Sequence, residues 1–590
     1  MTFKGETMRR LLLAAMLATT AIPAMAAPAD DLHAVIADHW AWFLKSNPIY
    51  ATALGVHDYD DQVGDISLAE ADRQAAQAAL FVKRLDAIPA AALSPADRTN
   101  QAILRRILAE QVEANGFGER TMTLSTLGSW FQGFAGLADS VPLRSKADFE
   151  SYLTRLALFP KFNAQALDIT RQAVAGGYTQ PCVSLTGFEK TITGVITDKA
   201  EDSRFYAPFK GARPSSIGEG EWAAMQARAK TLITATLNPE YRKIDDYYRT
   251  SYLPKCRKTF GAAGLPDGAK YYAFMVRQQT TTDLTPAQIH QIGLDEVTRI
   301  RGEMDVVARK AGYASRAAFI QALRTDPKYY PRSASELMGA AALQAKINDG
   351  KMPTLFGTLP RLPYGVRAIP AETAEGSTTA YYMPGSPPAG IAGTYYVNTS
   401  KLDQRPLYEL AALTAHEAVP GHHNQIALQQ EMSLPDFRKY AAQFTAFVEG
   451  WGLYSEHLGI EMGIYDTPEK DMGRLSYEMW RACRLVVDTG LHAQGWTKDQ
   501  AVAFMKDNTA LTDANIDAEV NRYISNPGQA LAYKLGELKI LSLRHKAESS
   551  LGAKFDVRRF HDAVLGQGAV PLDVLEAQID EWIKREQAAG

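Results

Sequence analysis

The chain has 590 residues, with 63 Lys+Arg against 66 Asp+Glu, for a formal net charge of -3 at pH 7. At 46% hydrophobic and 22% charged residues it has globular composition, which excludes a disordered chain, a collagen-like repeat and a heptad rod. The near balance of charge excludes a broad basic surface for nucleic acid, and three cysteines are too few for a disulfide-built scaffold or an all-cysteine zinc cluster.

The first 26 residues read as a cleavable export leader. Lys4, Arg9 and Arg10 make a positive start, 11–22 is a short apolar core, and Ala24-Met25-Ala26 fits a cleavage site. A mature chain beginning near Ala27 would be periplasmic or secreted. The leader core is too short for a permanent anchor, and no later stretch reaches the ~18 uninterrupted apolar residues of a membrane span.

From there the pattern is mostly helical. Leu32, Val35, Ile36, Trp40, Phe43 and Leu44 recur at helical spacing, and a second run covers 69–85. Ser94-Pro95-Ala96-Asp97 supplies an N-cap, a proline at the first helical position and an acid at the third; Thr285-Pro286 opens another helix the same way. Pro160 and Gly176-Gly177 punctuate the region between. Cys182 and Cys256 either pair in an oxidising compartment or stay as buried thiols like Cys483. One stretch breaks the pattern: 376–400 is rich in Thr, Tyr, Gly and Pro and predicts a small sheet, with strands over 380–383 and 394–398. Helical patterning resumes near Leu407. The expected fold class is mostly α, two-lobed, with a helical region over 27–260 and a region over 261–590 that holds the small sheet and the chemistry.

The chemistry concentrates in LYELAALTAHEAVPGHHNQIALQQ, 407–430. An apolar helical stripe leads into His416-Glu417, the start of a zinc-protease HExxH pattern, in which two His four apart grip one ion. Here the fourth position after His416 is Pro420, and the next imidazoles are His422 and His423. In an unbroken helix seven residues rise about 10 Å, too far for two ligands of one zinc at ~2.1 Å each. Pro420 removes a backbone donor and Gly421 tolerates unusual dihedrals, so a two-residue bulge at 419–421 would bring His422 into the ligand position, with His423 its competitor. Downstream, FVEGWGLYSE (447–456) puts Glu449 and Glu456 seven apart on one helix face. Glu449 is the natural third ligand, and Glu456 would orient a ligand histidine. Further on, Arg484, Asp488 and His492 share a helix face. His492, oriented by Asp488, could donate to an oxyanion or could equally be a structural pair. There is no GxSxG nucleophile elbow, P-loop or dinucleotide fingerprint.

HEAVPGHH followed by FVEGWGLYSE resembles the bacterial family catalogued as domain of unknown function 885, as do 53–67 and 523–540. The resemblance implies a gluzincin metallopeptidase, mostly helical and related in plan to thimet oligopeptidase and angiotensin-converting enzyme. It implies one zinc per chain, held by His416, His422 and Glu449, and Glu417 as general base toward a zinc-activated water. It further implies a late tyrosine, Tyr523 or Tyr533, at the oxyanion, and a basic residue, Arg522 or Lys534, on a substrate carboxylate. Each of those four also reads as ordinary packing. Tyr395 and Asn398 fall in what resembles the edge strand that pairs with substrate backbone. The expected partner is a short peptide, with no nucleic acid and no membrane span; the oligomeric state is left open. The rival readings are a zinc hydrolase of a non-peptide amide and an inactive periplasmic binding protein on the same scaffold.

Overall fold

Helices begin where prolines and capping residues place them. In the computed structural model, which describes residues 27–126, 128–370, 374, 377–385 and 391–589, the first is Pro28–Ser46 (α1). It starts on its proline, carries Asp30 and Asp31 in the first turn, and buries Leu32, Val35, Ile36, His39 and Leu44. The expected leader, 1–26, lies outside the described residues. Leu68–Asp86 (α2) follows, then Pro95–Ala114 (α3), where the Ser94 hydroxyl accepts from the Asp97 amide. Lys146–Gly176 (α4) runs straight through Pro160, so that proline is no boundary; Gly177 ends the helix in the left-handed region at φ 80°. Pro286–Lys310 (α5) opens on a reciprocal Thr285–Gln288 cap, and Ala334–Leu355 (α6) leads into the sheet.

The sheet has three strands, Tyr364–Ala368 (β1), Ala380–Met383 (β2) and Gly393–Val397 (β3). Their order is β1-β3-β2, with β1 parallel and β2 antiparallel to β3. The first strand escaped the sequence reading. The central place of β3 corrects the expectation for 394–398: its backbone is used on both sides, and the edge strands are β1 and β2. Tyr395 and Val397 point from β3 into a core with Leu337, Leu410 and Leu413.

The C-terminal helices complete the fold: Leu410–Glu417 (α7), His422–Glu431 (α8), Thr445–Met462 (α9), Pro468–Ala493 (α10), Asp513–Ser525 (α11) and Ala532–Leu551 (α12). The architecture is mostly α with one small sheet, as expected. The packing does not divide at residue 260. Leu32, Leu85 and Leu104 share one core with Phe447, Trp451, Leu543 and Ile579, so α1–α3 close over the C-terminal helices. A second core lies within the stretch from Leu124 to Tyr252, and a third joins α5 to α10 through Ile300, Met304, Met479 and Val487. An apolar helix face is covered by whichever partner fits it, and chain order does not fix that partner. Cys182 and Cys256 form a disulfide with Cα atoms 5.0 Å apart, while Cys483 is a buried thiol. No helix among the described residues is long and apolar enough to cross a membrane.

Candidate metal centre

The interruption of the HE helix is a full break rather than a bulge. Helix α7 ends at Glu417, Val419-Pro420 is a cis peptide, and α8 starts at His422. The carbonyls stranded by the break have side-chain partners: Asn348 donates to Val419 O at 3.0 Å, and Trp451 Nε1 donates to Pro420 O at 2.8 Å. Gly421 is required by closeness, since a Cβ there would lie 1.9 Å from the His416 carbonyl oxygen.

The break turns His422 back toward His416, their rings 4.7 Å apart, and α9 brings Glu449 to both. One donor atom from each of the three lies within 4.8 Å of the others. The His416 Nε2–Glu449 Oε2 and His422 Nε2–Glu449 Oε2 distances are 3.5 and 3.6 Å. Ligands around a tetrahedral ion with bonds of ~2.0–2.1 Å sit roughly 3.4 Å apart, so the donor set fits a zinc-sized cation. The electrostatics agree. Burial pushes His416 down, but Glu449 and Glu456 outweigh it and lift the imidazole to about 9. Glu449, which burial would raise, is held well below the usual carboxylate range by the two imidazoles. Both shifts mean that positive charge is favoured at this point, which is what a divalent cation supplies.

Behind the donors, Glu456 Oε1 accepts from His416 Nδ1 at 2.8 Å and forms an ion pair with Arg481 at 3.2 Å, fixing the ring with Nε2 toward the cluster. His423 faces the other way: its Nδ1 meets the Tyr382 hydroxyl at 2.9 Å, and its ring packs on Tyr364. His422, not His423, is therefore the imidazole that the fold brings to the cluster.

A cavity of about 310 Å³ opens on these donors, lined also by Glu417, Thr378 to Tyr382, Tyr477, Trp480, Arg481, Arg484 and Tyr533. The Glu417 carboxylate makes no hydrogen bond or ion pair among the described residues. Of the late tyrosines only Tyr533 reaches this cavity. Tyr523 is fully buried; its hydroxyl donates to Glu519 at 2.7 Å and accepts from Trp480 and Arg484.

Five expected site residues are placed elsewhere. His492 is buried with both nitrogens spent, Nε2 donating to Tyr523 O at 2.9 Å and Nδ1 accepting from the Ala262 amide at 2.8 Å. Its presumed orienter Asp488 instead accepts from the Tyr272 hydroxyl and the Gly528 amide. Lys534 is fully buried among Glu296, Glu478 and Glu537 at 3.0, 2.8 and 2.6 Å, out of reach of any substrate carboxylate. Arg522 is engaged by Glu519 and Gln529 and does not line the cavity. Tyr395 is buried with its hydroxyl on Thr414, and Asn398 is buried with its amide donating to Ala374 O, Ser377 O and Thr378 O. Both tie the sheet together. The residues that sequence reasoning missed are Tyr477, Trp480 and Arg481. With Arg484 they recur at three- and four-residue spacing on α10, and cations interleaved with aromatics on a buried helix were the available signal.

Comparisons with known proteins agree on the fold and leave the chemistry open. One similar solved structure, a "putative lipoprotein" from Colwellia psychrerythraea, is 28% identical at a TM-score of 0.87, covering 95% of this chain and all of that one. The second, a "putative lipoprotein of unknown function" from Shewanella oneidensis, shares the fold at 19% identity and a TM-score of 0.71, with 94% and 99% coverage. No curated protein matches the chain. Residues 48–579 match the family described as bacterial protein of unknown function (DUF885), and the chain belongs to that family.

Proposed function

We propose that this protein is an exported zinc-dependent peptidase of the gluzincin type, acting on short peptides. The observation that carries the reading is the convergence of His416, His422 and Glu449 on one point of a cavity that also holds the unpaired carboxylate of Glu417. A zinc ion held by those three residues would polarise a carbonyl and make water acidic near neutral pH.

The remaining chemistry belongs to the chain's own side chains. Glu417 takes the proton of the attacking water and passes it to the leaving nitrogen; the water oxygen stays on the acyl carbon as the C–N bond breaks. Tyr533, on the cavity wall, offers its phenol hydrogen to the carbonyl oxygen as charge develops there. Glu456 keeps His416 in its orientation. The side of edge strand β2 left without a strand partner among the described residues, with Ala380, Tyr381 and Tyr382 lining the cavity, offers backbone groups to an extended peptide. Export is supported by the leader-like first 26 residues, the Cys182–Cys256 disulfide and the lipoprotein descriptions of the two solved structures.

The test pairs metal analysis with a peptide-library digest. The purified protein is expected to hold about one zinc per chain. Glu417→Gln is expected to keep metal and fold while losing roughly 10²–10⁴-fold in hydrolysis. Near wild-type hydrolysis by the metal-replete variant, or no hydrolysis by the zinc-loaded wild type, would overturn the reading.

A further inference from the structure

The helix that brings His422 to the cluster carries a second imidazole, turned toward the sheet. His423 is buried in the first turn of α8 and touches all three strands. Its ring packs on Tyr364 of β1 with centroids 4.6 Å apart, and its Nδ1 is hydrogen-bonded to the Tyr382 hydroxyl of β2 at 2.9 Å. Gly393 of β3, the cross-strand partner of Tyr364, leaves room for that pair. A Cβ at Gly393 would collide with the Tyr382 hydroxyl and lie 3.0 Å from His423 Nδ1.

Other bonds stitch the same helix to the sheet. About two turns beyond His423, Gln430 Nε2 donates to Gly385 O, just past the end of β2, at 2.9 Å. Glu431 accepts from the Arg361 and Leu362 amides ahead of β1 at 2.7 and 3.1 Å. Of these sheet partners of α8, only Tyr382 also lines the cavity. The His423–Tyr382 bond is therefore the tie that runs directly from the helix of a metal donor to the strand beside the substrate space.

We propose that His423 is a positioning residue: through Tyr382 it fixes edge strand β2 relative to His422, and so holds an extended peptide in register with the metal donors. The inference rests on the peptidase reading for the peptide, and on the His423–Tyr382 contact for the link. Successive residues of a helix point about 100° apart, so adjacent histidines can serve the ion and the sheet at once. A strand advances about 3.3 Å per residue, and a one-residue slip presents its other face. A peptide paired with β2 therefore reacts in one register only. A misplacement of about 1 Å can cost on the order of 10²-fold in rate, which is what a fixed strand prevents.

The experiment measures kcat/KM of the zinc-loaded protein on a tripeptide and a hexapeptide that share the residues at the scissile bond. Tyr382→Phe and His423→Phe each keep a ring and delete the hydrogen bond. Each is expected to lower kcat/KM on the hexapeptide about three- to tenfold, with a smaller loss on the tripeptide and unchanged zinc content. The double variant is expected to lose no more than either single one, the signature of one shared contact. His423→Asn, which keeps a polar atom where Nδ1 stands, is expected to recover most of the loss. Losses independent of peptide length, or additive losses in the double variant, overturn the link and leave the peptidase reading standing. No hydrolysis of either peptide by the zinc-loaded wild type removes the peptidase reading instead. The link is then judged by calorimetric binding of the same peptides to wild type and Tyr382→Phe: weakening greater for the hexapeptide supports it, and equal or absent binding overturns it.

Discussion

Gly452 lies under the His416 ring, and replacing it by alanine separates metal affinity from fold. A Cβ at Gly452 would sit 2.7 Å from Cε1 and 2.8 Å from Nε2 of His416, where ordinary contact begins near 3.4 Å. The ring must therefore retreat by about 0.6–0.7 Å, or α9 must move away from α7, in an interior packed as densely as a crystal. The helices have little freedom to part, because the buried Trp451 next door is tied to Pro420 O across the break. Metal–ligand distances tolerate only about ±0.2 Å, so a shift of this size at Nε2 is several times the tolerance. Losing ligand orientation typically weakens metal binding about 10–100-fold, and we expect at least that for Gly452→Ala. Overpacking costs roughly 1–3 kcal/mol, partly offset by alanine's helix preference of about 1 kcal/mol over glycine. The expected signature is thus a large loss of zinc affinity with a small change in metal-free melting. Competition against a chromophoric chelator, beside calorimetric melts of the dialysed protein, measures both. Wild-type zinc affinity in Gly452→Ala would refute His416 as a ligand in the observed rotamer.

Three further outcomes follow from the same structure. His422→Ala is expected to strip zinc, and His423→Ala to leave it bound; metal analysis giving the reverse would reassign the second ligand. Lys534→Met removes the cation shared by Glu296, Glu478 and Glu537, leaving buried Glu537 without an ion-pair partner among the described residues, and is expected to cost about 3–5 kcal/mol in a denaturant titration. A folded, stable Lys534→Met that loses carboxylate preference would instead put Lys534 in the substrate site. Burial pushes Asp488 up to about 7, against hydrogen bonds from Tyr272 and Gly528 that lower it. The folded state then keeps a proton that the unfolded state releases near pH ~4, so this carboxyl's contribution to stability falls as pH rises from about 4 to 7. Relative to Asp488→Asn, the wild type is expected to lose a few kcal/mol across that window, and a flat difference would refute a buried, protonated Asp488.

Much of the site was legible because its donors are close in sequence and chemically unusual. His416, Glu417, Glu449 and Glu456 stand out as polar groups inside apolar helical runs, and the structure brings all four to one cavity or its wall. The turn between His416 and His422 was legible only in outline. Pro420 and Gly421 announce an interruption, but whether the helix bulges or breaks depends on Asn348 and Trp451, which supply donors from distant parts of the chain. The sheet shows the same limit. Composition located β2 and β3, but only tertiary pairing with β1 makes β3 central and puts β1 and β2 at the edges. Lys534 and His492 were misjudged because burial and partners decide a residue's role, and neither is written in local spacing.

Helix α10 shows how one stripe of charged residues divides into separate tasks. Glu478 pairs with Lys534 and Arg474 in a buried structural network. About one turn later Arg481 braces Glu456 behind His416, and three residues on, Arg484 lies in the cavity lining between the rings of Trp480 and Tyr533. Another turn on, Asp488 and His492 are sealed against Tyr272, Gly528, Ala262 and Tyr523. Spacing at three and four residues put all of them on related faces, so periodicity alone could not choose among them. The choice was made by what packs opposite: carboxylates on α5 and α12 at the start, helices α7 and α9 and the cavity in the middle, and backbone from the 262 and 523–528 segments at the end. Both cavity arginines lie over aromatic rings, Arg481 over Tyr477 and Trp480, and Arg484 over Trp480 and Tyr533. Rings fix a guanidinium's plane without consuming its hydrogen bonds, whereas carboxylate partners fix it by using them.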